Sequence, residues 1–276
     1  MSTVAALPAE ILSYVCTLVR QRSAIELEAS KAYLIEARLT PVARRAGFAS
    51  MIDLVESLRA RPSAALQEQI VEAMTTNETS FFRDAHPFEA LRTTIVPNLL
   101  KTNAARRSLN IWSAACSTGQ EAYSIAMLLR EHFAELATWN VRILGTDLSD
   151  EVLGKASAGR FSQLEINRGL PAALLAKYFR REGMQWEIVP TVRAWATFTK
   201  LNLIEPWPAM PRMDVVFLRN VLIYFSPDTK RLILEKIRKV MAPHAVLFLG
   251  AAETTMGLDA SFERVQVNNA VFYRLK

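Results

Sequence analysis

Four short stretches carry the residue types that could hold a nucleoside. "WSAACSTGQEAYS" sets Ser113, Ala114, Ala115, Ser117 and Gly119 between an apolar run and a helical pattern. Small side chains let a ligand approach the backbone, and a helix start offers unpaired N–H groups. Tight strand-to-helix packing asks for the same residues, and the spacing is not a G-x-G-x-x-G fingerprint. "GTDLS" ends a second run with Asp147, a carboxylate able to accept both hydroxyls of a ribose; capping the helix "SDEVL" would also satisfy it. "KLNLIEPWP" offers Asn202 to read an adenine edge and Leu203 to cover its face. "LRNVLIYFSP" runs an apolar strand into Asn220, whose amide costs stability there unless it meets a partner. Four such features at successive strand ends favour an adenosine-containing ligand.

A fifth stretch, "TTNETSFFRD" (Thr75 to Asp84), puts small polar residues ahead of Phe81, Phe82, Arg83 and Asp84. It joins two helical patterns, "LQEQIVEAM" and "FEALRTTIVPNLL". A connector needs turn residues, not two aromatics and an arginine, so this one is expected to staple something apolar and face something polar.

The elements that must position these residues follow from periodicity. Residues 1–75 read as all-helical: Ile11, Tyr14, Val15, Leu18 and Val19 recur at helical spacing, and "SMIDLVESLRA" and "LQEQIVEAM" repeat the pattern. Thr40-Pro41 reads as an N-cap and first helical position that divides "KAYLIEARL" from "TPVARRAGF". From about residue 108, β-branched runs alternate with helical ones, which predicts a mostly parallel sheet with helices on both faces. Between 160 and 199 the alternation breaks, and "MQWEIVPTVRAWATF" predicts a small inserted antiparallel sheet. "FERVQV-NN-AVFYRL" predicts a closing hairpin around Asn268-Asn269.

Composition narrows the class. The 276 residues are 51% hydrophobic and 22% charged, enough to bury a real core. The net charge of +6 suits an anionic partner, yet no basic–aromatic stripe suggests nucleic acid. The longest apolar run, from Val215 to Phe225, is broken by Arg219 and too short to span a bilayer. Cys16, Cys116 and three scattered histidines form no disulfide framework and no metal spacing. A cytoplasmic, metal-free protein without membrane insertion is expected.

"TTNETSFFRD", "WSAACSTGQEAYSIAM", "GTDLS…VLGKASAGRF", "KLNL" and "FLRNVLIYF" together resemble the S-adenosylmethionine-dependent chemotaxis receptor glutamate O-methyltransferases, the CheR type. The resemblance spans nearly the whole chain. It implies an α/β class I (Rossmann-like) methyltransferase domain at 108–276 carrying an inserted β-subdomain at about 160–199. A helical N-terminal domain at 1–75 and a linker and lid segment at 76–107 would precede it. S-adenosylmethionine would be the cofactor and S-adenosylhomocysteine the product. By match, Asn77, Thr79, Arg83 and Glu121 would contact the cofactor, with Arg83 near the acceptor. Asp147 would hold the ribose, Asn202 and Leu203 the adenine, Asn220 and Val221 the methionine end, and Tyr224 would stand beside the reacting centre.

The same resemblance makes chemoreceptor signalling domains the partner, docked on Lys31, Arg38, Arg44 and Arg45. Gln120-Glu121-Ala122 departs from the two acids and proline of many members, and "GAAETTMG" departs from their His-Ser-Glu type. The glycine-rich loop that tethers some members to a receptor tail is short here, with only Gly183, which predicts tether independence. Other readings are a methyltransferase with another acceptor, or a cofactor-binding signalling module without catalysis.

Overall fold

The computed structural model describes residues 7–28 and 32–276, so Lys31 lies outside the described residues. The chain forms two compact units. One holds the described residues through Thr76 together with Tyr224–Thr229; the other holds Asn77–Ile223 and Lys230–Lys276.

The first unit is built on α1 (Ala9–Ser23), α2 (Ala32–Arg45), α3 (Met51–Ala60) and α4 (Ala64–Met74). Ile11, Val15, Leu18 and Val19 of α1 are buried, as are Ile35, Leu39, Val42 and Ala43 of α2. Ser50 and Ser63 cap α3 and α4, each accepting an N–H three residues on. Thr40-Pro41 does not start a helix: α2 runs straight through Pro41. The buried stripe continues from Ile35 and Leu39 to Val42, and Thr40 Oγ1 donates to the Glu36 carbonyl at 2.7 Å. Burying each large aliphatic side chain gives ~1.5–3 kcal/mol, and the stripe together outweighs the ~3 kcal/mol that an interior proline costs.

Arg38 is already employed inside this unit. Its guanidinium donates to the carbonyls of Met74 and Thr75 at 2.8 and 2.9 Å and to Thr76 Oγ1 at 3.2 Å. It thus satisfies acceptors left over at the end of α4. Arg44 and Arg45 are exposed.

The second unit opens with α5 (His86–Ala90), a π turn (Leu91–Ile95) and α6 (Val96–Thr102). The strand–helix alternation follows as β1 (Ser108–Ala114), α7 (Gln120–His132), β2 (Asn140–Asp147) and α8 (Asp150–Ala158). The insert comprises β3 (Arg160–Ser162), α9 (Gln163–Asn167), α10 (Ala172–Tyr178), β4 (Phe179–Glu182), β5 (Gln185–Ile188) and α11 (Pro190–Arg193). The chain then completes β6 (Ala196–Lys200), β7 (Met213–Leu218), α12 (Pro227–Val240), β8 (Met241–Leu249), β9 (Phe262–Val267) and β10 (Ala270–Leu275).

Seven strands form one sheet in the order β6-β2-β1-β7-β8-β10-β9, and β3-β5-β4 form a separate antiparallel sheet. β6, β2, β1, β7 and β8 are parallel, and the terminal hairpin adds β10 antiparallel to β8, with Asn268-Asn269 as its turn. One expectation is corrected. The insert was expected to run to about residue 199, yet residues 196–200, the strand ahead of Asn202, pair parallel with β2, from Ile143↔Ala196 to Asp147↔Lys200. A half-exposed edge strand shows the same period of two whichever sheet it joins, so periodicity could not tell the two apart.

Neighbouring strand β2 follows β1 on one side, and β7 lies on the other. The chain therefore reverses direction around β1, which opens a crevice at the carboxyl ends of β1 and β7. β7 is buried along its whole length, and Phe217 stacks on Phe248 of β8 at 4.8 Å.

Candidate active site

The loop from β1 to α7 is bent by three left-handed residues, Ala115 (φ 55°), Ser117 (φ 49°) and Gly119 (φ 89°). Left-handed conformation costs ~1–3 kcal/mol at a residue with a side chain and persists only where the surroundings impose it. Here Cys116 N–H donates to the Thr146 carbonyl at 2.9 Å, and Ser117 N–H donates to Asp147 Oδ2 at 2.9 Å. Gly119 admits nothing larger: a Cβ would meet that of Ala156 at 3.0 Å. The small residues thus press loop backbone against the end of β2.

Asp147 is buried, and its other oxygen accepts from Ser149 N–H at 3.1 Å. Burial pushes its pKa above the ordinary aspartate value, and the N–H groups of Ser149, Ser117 and Leu148 partly offset that. Asp147 is not the cap of α8; Ser149 Oγ takes that place, accepting from Val152 N–H. Past the end of β6, Leu201 N–H donates to the Asp147 carbonyl at 2.9 Å, which ties the Asn202–Leu203 loop to the same corner. Asn202 Oδ1 accepts from Ile204 N–H at 3.3 Å, and Leu203 is buried.

From Asn77 to Asp84, "TTNETSFFRD" lies along this crest. The Asn77 carbonyl accepts from Ser117 Oγ at 2.8 Å, and Phe82 N–H donates to Ser124 Oγ at 3.0 Å. Asn77 is exposed and Thr79 half-buried. The Arg83 guanidinium turns back onto the Glu78 carbonyl at 3.0 Å. Phe81 is fully buried, edge-on to Phe161 at 5.0 Å and Phe179 at 5.8 Å, so the staple grips the insert. Phe81 N–H also donates to the Arg168 carbonyl at 3.2 Å.

Beside that bond, Gly169 (φ 93°) leaves no room for a side chain, since a Cβ would stand 2.1 Å from the Phe81 carbonyl oxygen. Gly169→Ala is expected to destabilise the second unit by ~2–4 kcal/mol, combining left-handed strain with overpacking. Urea denaturation measures this, and an unchanged midpoint would show that the linker is not seated there.

Arg219, at the end of β7, joins these parts. Its side chain is 2% exposed. Nη1 donates to Glu121 Oε2 at 2.9 Å, while Nη2 donates to Asp84 Oδ2 at 2.8 Å and to the Arg83 carbonyl at 2.9 Å. Glu121 Oε1 accepts from Ser113 Oγ at 2.7 Å. One guanidinium therefore fixes a carboxylate at the head of α7 and the turn that contains Phe82 (φ 47°) and Asp84 (φ 55°). Next in the chain, Asn220 (φ 58°) is held from β8's side. Glu253 accepts from the N–H groups of Asn220 at 2.8 Å, Val221 at 2.9 Å, Ile223 at 3.3 Å and Gly250 at 2.6 Å.

Asn77, Thr79, Arg83, Glu121, Asp147, Asn202, Leu203, Asn220 and Val221 all belong to the second unit. Tyr224 ends the short turn Leu222–Tyr224 and groups with the first unit, where its carbonyl accepts from Glu26 N–H at 3.0 Å.

Residues 77–271 match the family described as the CheR methyltransferase, SAM binding domain, and residues 11–75 match the CheR methyltransferase, all-alpha domain. The chain belongs to the CheR methyltransferase family. It is 40% identical over 257 residues to chemotaxis protein methyltransferase 1 of Pseudomonas aeruginosa, covering 91% of this chain and 93% of that one. Chemotaxis protein methyltransferase Cher2 of Pseudomonas putida is 39% identical with the same coverage. Chemotaxis protein methyltransferase 1 of Vibrio cholerae is 35% identical over 264 residues and 95% of each chain.

This CheR methyltransferase is thus an S-adenosylmethionine-dependent methyltransferase of chemotaxis, with a Rossmann-like sheet and a helical N-terminal part. The residues at the crest fit the cofactor. A buried carboxylate closes β2, small residues floor the next loop, and a second carboxylate opens α7. No helix among the described residues is long and apolar enough to cross a membrane. Sequence reasoning missed Arg219, Glu253 and Gly169, which hold the loops around the crest. A charge inside an apolar strand run was the signal for Arg219, and Glu253 sits in the "GAAETTMG" stretch that departs from the family pattern; nothing in the sequence marked Gly169.

Proposed function

We propose that this CheR methyltransferase esterifies glutamate side chains of chemoreceptor signalling domains. The observation that carries this reading is the commitment of the crest's acids. Both oxygens of Asp147 and both of Glu121 already accept hydrogen bonds from the protein, so both acids are engaged in holding the crest together. An acceptor with pKa near ~4.3 is ionised at neutral pH and asks for no base. S-adenosylmethionine, when bound, supplies an electrophilic methyl on sulfur. Asp147 would hold its ribose, Asn202 and Leu203 its adenine, and Asn220 and Val221 its methionine end, with Asn77, Thr79, Arg83 and Glu121 also in contact with it. The protein's task is then alignment and removal of water, and alignment alone can supply ~7–11 kcal/mol.

Arg83 steers the incoming carboxylate, and Tyr224 orients it. Arg83→Ala and Tyr224→Phe are expected to lower kcat about tenfold while calorimetry with S-adenosylhomocysteine stays within a factor of about two, the loss of one hydrogen bond to the reacting group alone. The reaction itself is tested with labelled S-adenosylmethionine and a panel of receptor signalling domains. Label released by mild alkali is the expected result; alkali-stable label would assign another acceptor, and none would assign a signalling module without turnover.

Lys31, Arg38, Arg44 and Arg45 remain the proposed docking surface. Because Arg38 closes α4, charge reversal belongs at the exposed Arg44 and Arg45. Independence from a receptor-tail peptide is supported by the β4–β5 turn. Glu182 pairs with Gln185, which leaves only Gly183-Met184 between the strands. Peptide titration is expected to show no binding.

A further inference from the structure

Lys236, on α12, grips the loop that carries Asn202 and Leu203. Its Nζ donates to three successive carbonyls, those of Leu203 at 3.1 Å, Ile204 at 2.9 Å and Glu205 at 2.7 Å. An ammonium has three donors and no acceptor, so this set satisfies it fully. The same nitrogen lies 5.3 Å from the ring of Trp207, and Trp207 packs edge-on against Trp112 of β1 at 5.0 Å. Burial lowers the Lys236 pKa, with the charge of Glu205 opposing, so the ammonium has exchanged water for carbonyl oxygens.

Three consecutive carbonyls cannot converge on one cation unless the backbone between them is fixed. That backbone starts at Leu203, directly after Asn202, whose Oδ1 already accepts from Ile204 N–H at 3.3 Å. Just ahead of Asn202, Leu201 N–H meets the Asp147 carbonyl. Without the ammonium, three carbonyls, two of them partly buried, would lose their donor and the loop would turn to find water. We propose that Lys236 is the positioning residue that sets both the affinity of this methyltransferase for adenine and its preference for adenine over other purines. The inference rests on the assignment of Asn202 and Leu203 to the base.

The test uses the full chain and calorimetry with S-adenosylhomocysteine and S-inosylhomocysteine, which differ at the base alone. Lys236→Met is expected to weaken S-adenosylhomocysteine binding by about tenfold or more, the loss of a charged hydrogen-bond set. The ratio between the two ligands should shrink with it, while kcat at saturating S-adenosylmethionine holds within about twofold. Lys236→Arg, which keeps the charge and some of the contacts, should recover part of both. A general loss of stability would weaken the two ligands alike and leave their ratio unchanged, and that outcome overturns the proposal. If Lys236→Met does not fold, Lys236→Gln is read in the same way. Asn202→Ala and Leu203→Ala separate the two ideas. If they leave the ratio intact, the adenine assignment fails; if they collapse it while Lys236→Met does not, only the role of Lys236 fails.

Discussion

Arg219→Met is expected to cost the second unit ~3–5 kcal/mol, because it strands a half-buried carboxylate rather than deleting a surface contact. Glu121 is 14% exposed in its side chain and would keep its bond to Ser113 but lose its only cationic partner among the described residues. The Asp84 end contributes less, since that carboxylate is 47% exposed and solvent screens it. For a domain of this size each kcal/mol moves Tm by roughly 2–4 °C, so a fall of roughly 6–20 °C follows. Binding should suffer as well: the Arg83 carbonyl and the left-handed Asp84 lose the donor that holds them, so S-adenosylhomocysteine affinity should drop with stability. Arg219→Lys keeps the charge but presents a point donor where a planar fork bridges three acceptors, and an intermediate loss is expected. Glu121→Gln combined with Arg219→Met should lose less than the sum of the single changes. Thermal melts and calorimetry check each point. A methionine variant that melts and binds like the parent would remove Arg219 from the site.

The second large effect lies at the other end of the same strand. Asp214 is fully buried at the start of β7. Its carboxylate accepts from Asn103 Nδ2 at 3.1 Å, from Asn110 N–H at 2.8 Å and from the Arg106 guanidinium, and His244 Nε2 stands 2.9 Å away. It gathers the α6–β1 connection, β7 and β8 onto one anion. Asp214→Ala leaves several donors without an acceptor, for an expected loss of ~3–5 kcal/mol. The cofactor crest lies past Leu218, at the opposite end of β7, so S-adenosylhomocysteine affinity should hold at temperatures where the variant is folded. The contrast is the point of the pair: Arg219→Met moves stability and affinity together, Asp214→Ala moves stability alone. Reduced affinity in a folded Asp214→Ala protein would show that the sheet does not insulate its two ends.

Local chemistry made much of this protein legible. The stripes of α1, α3 and α4 and the alternation after residue 108 come from the period of burial, which each segment carries by itself. The Asn-Asn turn of the last hairpin is equally local, because Asn tolerates the left-handed backbone that Asn268 adopts (φ 52°). Asp147, Asn202 and Asn220 stood out because polar residues at the ends of apolar strands have few reasons to be there. Phe81 and Phe82 stood out because a connector has no use for them.

What tertiary structure alone decided are the matters that depend on which segments meet. Where the insert ends was one, because residues 196–199 read both as its last strand and as the main-sheet strand ahead of Asn202. The continuity of α2 through Pro41 was another, since the gain from a buried stripe is collected from α3 and α4 and not from α2 itself. The partners of Arg219, 98 positions from Glu121 and 135 from Asp84, are set by strand order. So are the carbonyls that receive Lys236 and the backbone that forbids a side chain at Gly169. A sequence displays the charge or the glycine; only the folded chain supplies the groups that give it a purpose.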